Sequence, residues 1–197
     1  MADAAGRCKS PRCERIQRES VMRESGVSMV EMLVCMAVCA TLAALAAPVF
    51  TDLTQRSLAA GASNQVLGLL NHARSEAVMR RRSTGICPTT DAHSCLRTSE
   101  WGLGLMSWVD ENANGLRDGD EPVMRVMDTG DFRGQRLLGS PGRSNLGFRA
   151  DGRSAGQNAT LKLCGRDGAL SRKIIVNNGG RARIEASRRP EPCPPAT

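Results

Sequence analysis

The chain has no tyrosine, three phenylalanines and two tryptophans. Proteins that hold single-stranded nucleic acid do so on stacked aromatic side chains, so this scarcity argues against a base-stacking platform. Histidine is as scarce: His72 and His93 stand alone, with no second imidazole at metal-ligand spacing. There is no P-loop, no dinucleotide fingerprint, and no nucleophile with a base nearby. An enzyme is therefore not expected. No segment repeats.

One long apolar run is present. Residues 26–47 read GVSMVEMLVCMAVCATLAALAA, and the 21 residues from Val27 carry a single charge, Glu31. At about 1.5 Å per residue a helix of that length spans about 30 Å, the thickness of a bilayer core. A carboxylate inside such a span is costly and marks function. Arg12, Arg15, Arg18 and Arg23 precede it and direct that end to the cytoplasm. Two processing routes compete. A secretory signal would be cut after the run, at a small-x-small site that Ala44 to Ala47 could supply, and would leave Glu31 without purpose. A signal cut before the run would leave the helix on the mature protein.

Gly26-Val-Ser-Met-Val-Glu31-Met-Leu resembles the class III signal of type IV pilins and pseudopilins, whose usual form is G-F-T-L-I-E-L. Val27 stands in place of the Phe, and Met29 and Met32 in place of Leu. The resemblance implies cleavage between Gly26 and Val27 by a prepilin peptidase, N-methylation of Val27, and pairing of Glu31 with the amine of a neighbouring pilin during assembly. It also implies a single-pass protein of the bacterial inner membrane, its C-terminal domain periplasmic, that later joins a pilus or pseudopilus.

On this reading residues 1–26 are a leader that takes no part in the fold, and Cys8 and Cys13 go with it. Met22 opens a short MRESG and is an alternative start. The remaining 171 residues hold 21 Lys/Arg and 16 Asp/Glu. Residues 27–160 carry 13 of each sign, whereas 161–197 carry eight basic and three acidic groups. The whole excess is local to one end, which points to a local anionic partner.

Pro48 follows the membrane run and is expected to kink the helix. Residues 48–82 read as its amphipathic, periplasmic half, with Val66, Leu70, Ala73 and Ala77 at spacings of three and four. Arg80, Arg81 and Arg82 suit a helix C-terminus. From residue 83 the texture changes to short β-prone runs between Gly, Asp, Asn and Pro clusters. Strands are expected at 84–87, 102–109, 123–127, 146–149, 160–164, 172–176 and 181–186. The fold class is α+β: a long N-terminal helix, its first half transmembrane, packed on an antiparallel β-sheet domain at 83–197. The proline-rich tail 190–197 is extended unless Cys193 anchors it.

Cys35 and Cys39 lie in the membrane run at helical spacing. Cys87, Cys95, Cys164 and Cys193 fall in the β domain, and an even count in an oxidising compartment favours disulfides. Four cysteines allow three connectivities, of which proximity favours Cys87–Cys95, leaving Cys164–Cys193 to pin the tail. Asp110, Asn112, Asn114, Asp118 and Glu121, with Gly115, fit the calcium-loop pattern D-x-[DN]-x-[DN]-G-x5-E. Strand-like flanks, where an EF-hand has helices, favour a plain turn built from Asx chemistry. No cofactor is expected, and calcium is optional.

Ile174 and Val176, then Ala182 and Ile184, alternate with polar residues on either side of Asn178-Gly179, which predicts a β-hairpin. Arg181 and Arg183 project from one face, roughly 6.7 Å apart by strand rise, beside a Gly-rich loop whose amides are available. Two guanidiniums at that spacing suit successive phosphates of a nucleic-acid strand. Lys173, Arg188 and Arg189 add to the field. The alternative is a charged outer face that keeps a sheet edge soluble.

Further motifs sharpen the family. L-N-H-A-R-S-E-A-V-M-R at 70–80 is similar to the L-x-x-A-R-S-E-A-I-x-R signature of the FimT/GspH branch. I-C-P at 86–88, the acidic turn, F-R-A-D-G-R at 148–153 and L-K-L-C at 161–164 resemble the same branch. N-N-G-G-R-A-R is similar to the N-x-x-G-R-x-R motif of FimT-type minor pilins, and the match falls on Gly180, Arg181 and Arg183. It implies a minor pilin that binds DNA without sequence preference during natural transformation. The rival reading is a purely structural minor pilin, or a GspH-like pseudopilin of a type II secretion system, with protein neighbours only.

Overall fold

The structure, a computed structural model, describes residues 26–154, 156–187 and 191–194. Met22, Cys8, Cys13, Arg188 and Arg189 lie outside the described residues. One helix, α1 (Met29–Arg80), is followed by strands β1 (Ser83–Pro88), β2 (Gly104–Asp110), β3 (Val123–Asp128), β4 (Arg136–Leu138), β5 (Leu146–Phe148), β6 (Ala159–Cys164), β7 (Leu170–Val176) and β8 (Ala182–Ala186). Pro48 lies inside the helical span.

The chain divides into two compact units, Met1–Val49 and Phe50–Thr197. In the first, every described side chain is exposed, large apolar ones such as Val30, Leu33 and Leu42 included. The helix is long and apolar enough to cross a membrane, the solvent in which such a surface is stable.

In the second unit α1 buries Ala59, Ala62, Val66, Leu69, Leu70, Ala73 and Ala77. Their spacing puts them on one face, and the alanines let the helix backbone lie close to the sheets. Gly61 and Gly68 are exposed, where a β-carbon would meet nothing. The helix closes with a Schellman pair: Arg82 N–H donates to Ala77 C=O (3.2 Å) and Arg81 N–H to Val78 C=O (3.4 Å). Arg81 takes the left-handed position (φ 53°) that glycine usually fills. Three residues on, Thr84 Oγ1 donates to Ala73 C=O (3.0 Å) and ties β1 to the helix.

The strands form two antiparallel four-stranded sheets, ordered β3-β2-β1-β5 and β4-β6-β7-β8. Ile86, Leu105, Leu146 and Phe148 from the first sheet join Leu137, Leu161, Leu163, Ile174 and Val176 from the second in one core with the helix stripe. A smaller cluster, Cys87, Met106 and Trp108, sits on the first sheet. Trp108 lies across Gly85, where any side chain would collide with its ring.

Strand expectations hold with local differences. The segment expected to start a strand at 102 begins instead as a 3-10 turn, Trp101–Leu103. Trp101 is fully buried there, and its Nε1 donates to Arg143 C=O (3.1 Å). Strand β4 was not expected at all. The tail is anchored: Leu170 N–H donates to Glu191 C=O (2.8 Å), Cys193 N–H donates to Gly168 C=O (2.9 Å), and Cys193 is disulfide-bonded to Cys164.

Candidate nucleic-acid interface

Strands β7 and β8 pair in register, Ile174 opposite Ile184 and Ile175 opposite Arg183. Ile174 and Val176 face the core, so their neighbours Lys173 and Ile175 face outward with Arg183 and Glu185. The connection is wider than a two-residue turn. Gly180 N–H donates to Asn177 C=O (2.8 Å) and Asn177 N–H to Arg181 C=O (3.2 Å), which leaves three residues in the loop. Gly180 holds φ 74°, the left-handed residue that such a loop requires. It is buried, and a β-carbon there would overlap the carbonyl oxygen of Gly152. The conformation and the close approach both exclude any other residue.

The loop's amides are not all available, contrary to expectation. Gly180 N–H is used within the turn, and Arg181 N–H donates to Asn177 Oδ1 (2.9 Å). The chemistry of the tip therefore rests on side chains. Arg181 is exposed, and among the described residues its guanidinium meets no carboxylate. Arg183 is exposed and pairs with Glu185 two residues on (2.9 Å), a contact open to solvent and weak for that reason. Lys173 is not brought to the tip: it pairs with Glu191 (3.3 Å) and lies opposite Glu185.

A second loop meets this turn. Between β5 and β6, Ser154 N–H donates to Asn178 C=O (3.2 Å) and Ser154 Oγ to Asn177 C=O (2.9 Å). Arg74, from α1, donates through Nε to Gly152 C=O (2.8 Å). Arg149 and Arg153 on this loop are exposed. Sequence reasoning marked the F-R-A-D-G-R segment as a family motif and gave these arginines no role.

The acidic loop is held by its own side chains. Asp110, buried, accepts from Asn114 N–H (3.1 Å) through Oδ1 and from Gly115 N–H (3.0 Å) through Oδ2. Asn112 and Asn114 both donate to Asp118 Oδ2 (2.7 and 2.9 Å). Glu121, also buried, accepts from Glu111 N–H (2.9 Å) and Asp118 N–H (3.0 Å). Among the described residues no group of three His, Cys, Asp or Glu side chains is placed to hold a metal ion.

Cys87 is disulfide-bonded to Cys95 with Cα atoms 5.6 Å apart, and Cys164 to Cys193 at 6.0 Å. Cys35 and Cys39 are free and exposed. In the first disulfide loop the Asp91 carboxyl is held well below the usual aspartate range, chiefly by Ser94 Oγ (2.6 Å) and then by the amides of Ser94 and His93. Gly26 and Val27 are exposed ahead of α1, and Glu31 lies in its first turn.

Comparison with known proteins agrees with this architecture. The family model for the type II transport protein GspH matches residues 62–180. The crystal structure of the type IV minor pilin FimU of Pseudomonas aeruginosa (strain PAO1) is similar with a TM-score of 0.53 and 26% identity, over 72% of this chain and 98% of that one. A second crystal form of FimU gives 0.49 and 23%, over 67% and 97%. The minor pseudopilin EpsH from the type 2 secretion system of Vibrio cholerae gives 0.43 and 13%, over 63% and 93%. No curated protein matches by sequence. The chain belongs to the GspH family, within the type IV pilin and pseudopilin superfamily.

Proposed function

We propose that this protein is a minor pilin of a type IV pilus that takes hold of DNA, without regard to sequence, at the turn between β7 and β8. Arg181 carries the reading: an exposed guanidinium with no acidic partner among the described residues, directly after a glycine that no other residue can replace. Arg183, exposed on the same outer face two residues on, is the second cation of the tip. A phosphate oxygen competes readily with Glu185 for Arg183, because an exposed ion pair is worth little. With few aromatic rings to stack bases, contact is to the phosphate backbone. The apolar half of α1 anchors the subunit in the inner membrane, with the β domain in the periplasm, until a filament draws it out. Uptake of DNA in natural transformation is the process this serves.

Non-specific backbone binding is weak, roughly micromolar or poorer, and steeply salt-dependent. A patch that neutralises about three phosphates gives a log–log salt slope of about −3. The test is a gel-shift titration of the full chain in detergent with duplexes of unrelated sequence. Arg181→Gln with Arg183→Gln is expected to abolish binding and leave the thermal midpoint nearly unchanged. Parent-like binding by that variant would sink the DNA reading.

A purely structural subunit of a pilus or of a type II secretion pseudopilus is the second reading. The ion pairs of Arg183 with Glu185 and Lys173 with Glu191 favour it, since they give the hairpin's outer face a balanced charge without any ligand.

A further inference from the structure

The two loops that meet at the hairpin tip share one backbone design. In residues 177–181, the fourth residue's N–H donates to the first residue's C=O, and the first residue's N–H donates to the fifth residue's C=O. Residues 149–153 repeat it: Gly152 N–H donates to Arg149 C=O (2.8 Å) and Arg149 N–H to Arg153 C=O (2.8 Å). The fourth residue is a left-handed glycine in both, Gly180 at φ 74° and Gly152 at φ 75°. The fifth is an exposed arginine in both, Arg181 and Arg153. Each of those arginines has its amide held by a side-chain oxygen within the turn, Asn177 Oδ1 for Arg181 (2.9 Å) and Asp151 Oδ1 for Arg153 (2.9 Å).

The two glycines touch, Gly180 against the carbonyl oxygen of Gly152, so the arginines that follow them leave adjacent points of the surface. Arg149 opens the second turn, exposed and with no carboxylate partner among the described residues. Within this turn the opposing charge is Asp151, 3.7 Å from Arg153, in a pair whose side chains are 74% and 56% exposed.

We propose that the turn at 149–153 is the second half of the DNA-binding surface, with Arg149 and Arg153 contacting phosphates beside those held by Arg181 and Arg183. This rests on the DNA reading above. A lone arginine turn meets one or two phosphates. Twin turns locked back to back carry four arginines on a backbone that is already in place, and more neutralised phosphates mean more counterions released. Asp151 then acts against binding, a repulsive charge placed among the phosphate-facing arginines.

The experiment is fluorescence anisotropy of a labelled random-sequence duplex with the full chain in detergent, at several salt concentrations. Arg149→Gln with Arg153→Gln is expected to weaken binding about tenfold or more at low salt and to flatten the salt slope by about two. Asp151→Asn is expected to tighten binding several-fold. It removes no cation, so it reports even if the arginine variant folds poorly. If the parent binds and both variants keep its affinity and slope, the second turn is not part of the surface, while the DNA reading stands. If the parent shows no salt-dependent binding, the DNA reading falls and this inference with it.

Discussion

Gly180 lies against the main-chain oxygen of Gly152 with no room for a β-carbon between them. One contact thus joins the β7–β8 turn to the β5–β6 loop, and Arg74 Nε donates to the same oxygen from the helix. Gly180→Ala is expected to fail twice, on its left-handed φ and on the collision, at about 2 kcal/mol or more. Gly179→Ala is the control, because a β-carbon there meets only Asn177 Oδ1 at 3.4 Å. Thermal unfolding should show a clear drop for the first and almost none for the second. Equal midpoints would mean that the two turns are not locked together.

The disulfides close loops of different length, with separations of 8 residues for Cys87–Cys95 and 29 for Cys164–Cys193. Loop-closure entropy predicts a loss of roughly 2.5 kcal/mol when the first pair is replaced by serine and roughly 3.5 kcal/mol for the second. Urea unfolding of the two double variants measures the order. A first-pair loss as large as the second would show that packing of the Met106–Trp108 cluster, rather than chain entropy, dominates there.

The oxygens of the acidic loop already hold its backbone in shape. Asp110→Ala leaves the Gly115 amide without its acceptor, while the Asn114 amide keeps Asn112 Oδ1 (3.0 Å), a cost of about 1–3 kcal/mol. Millimolar calcium is expected to leave the melting midpoint of the parent unchanged. A rise of several degrees that is lost in Asp110→Ala would instead make this a calcium site, since a ligand bound only to the folded state stabilises it.

Asp91 gives a pH dependence with a defined sign. Its carboxyl sits below the ordinary value of 3.8 because Ser94 Oγ and nearby amides favour the charged form. A depressed carboxylate contributes stability that is fully present above its unfolded value and is lost as pH falls through the folded one. The difference in midpoint between the parent and Asp91→Asn should therefore be constant near neutrality and shrink as pH drops below about 4. A difference that grows in acid would contradict the assignment. The group is exposed, so the effect is small.

Periodicity made much of this fold legible. Ile174, Val176, Ala182 and Ile184 alternate cleanly, and Val66, Leu70, Ala73 and Ala77 recur at helical spacing, so the hairpin and the helix stripe could be read directly. Strand β4 could not: three residues, Arg136–Leu138, are too few to show a period of two. Trp101–Leu103 hid its 3-10 turn because an indole suits a strand equally well. The partnership of the two turns was invisible for a different reason. It is made by glycines and main-chain oxygens, which carry no side-chain pattern, and its two members lie far apart in the chain. The local signal, glycine followed by arginine in R-A-D-G-R and in N-N-G-G-R, is present but gains meaning only when the loops are seen to touch.

The start of α1 carries the last prediction. Met32 N–H donates to Ser28 C=O (3.1 Å), so Ser28 is the N-cap and the helix starts two residues after Val27. Cleavage between Gly26 and Val27 would then place a new amine at a helix N-terminus, where the macrodipole already favours a negative partner. Glu31, in the first turn of an otherwise apolar span, has no cation of its own chain along that span. In a bilayer that is costly, and the Val27 amine of a neighbouring subunit would offer the matching charge. Intact-mass measurement on protein from cells with a prepilin peptidase should give a chain beginning at methylated Val27, and cells lacking the enzyme should give the uncut form. Glu31→Ala should be cut as the parent is and yet be missing from sheared filaments. A mature terminus elsewhere than Val27 would overturn the processing step, and normal filament incorporation of Glu31→Ala would overturn the pairing.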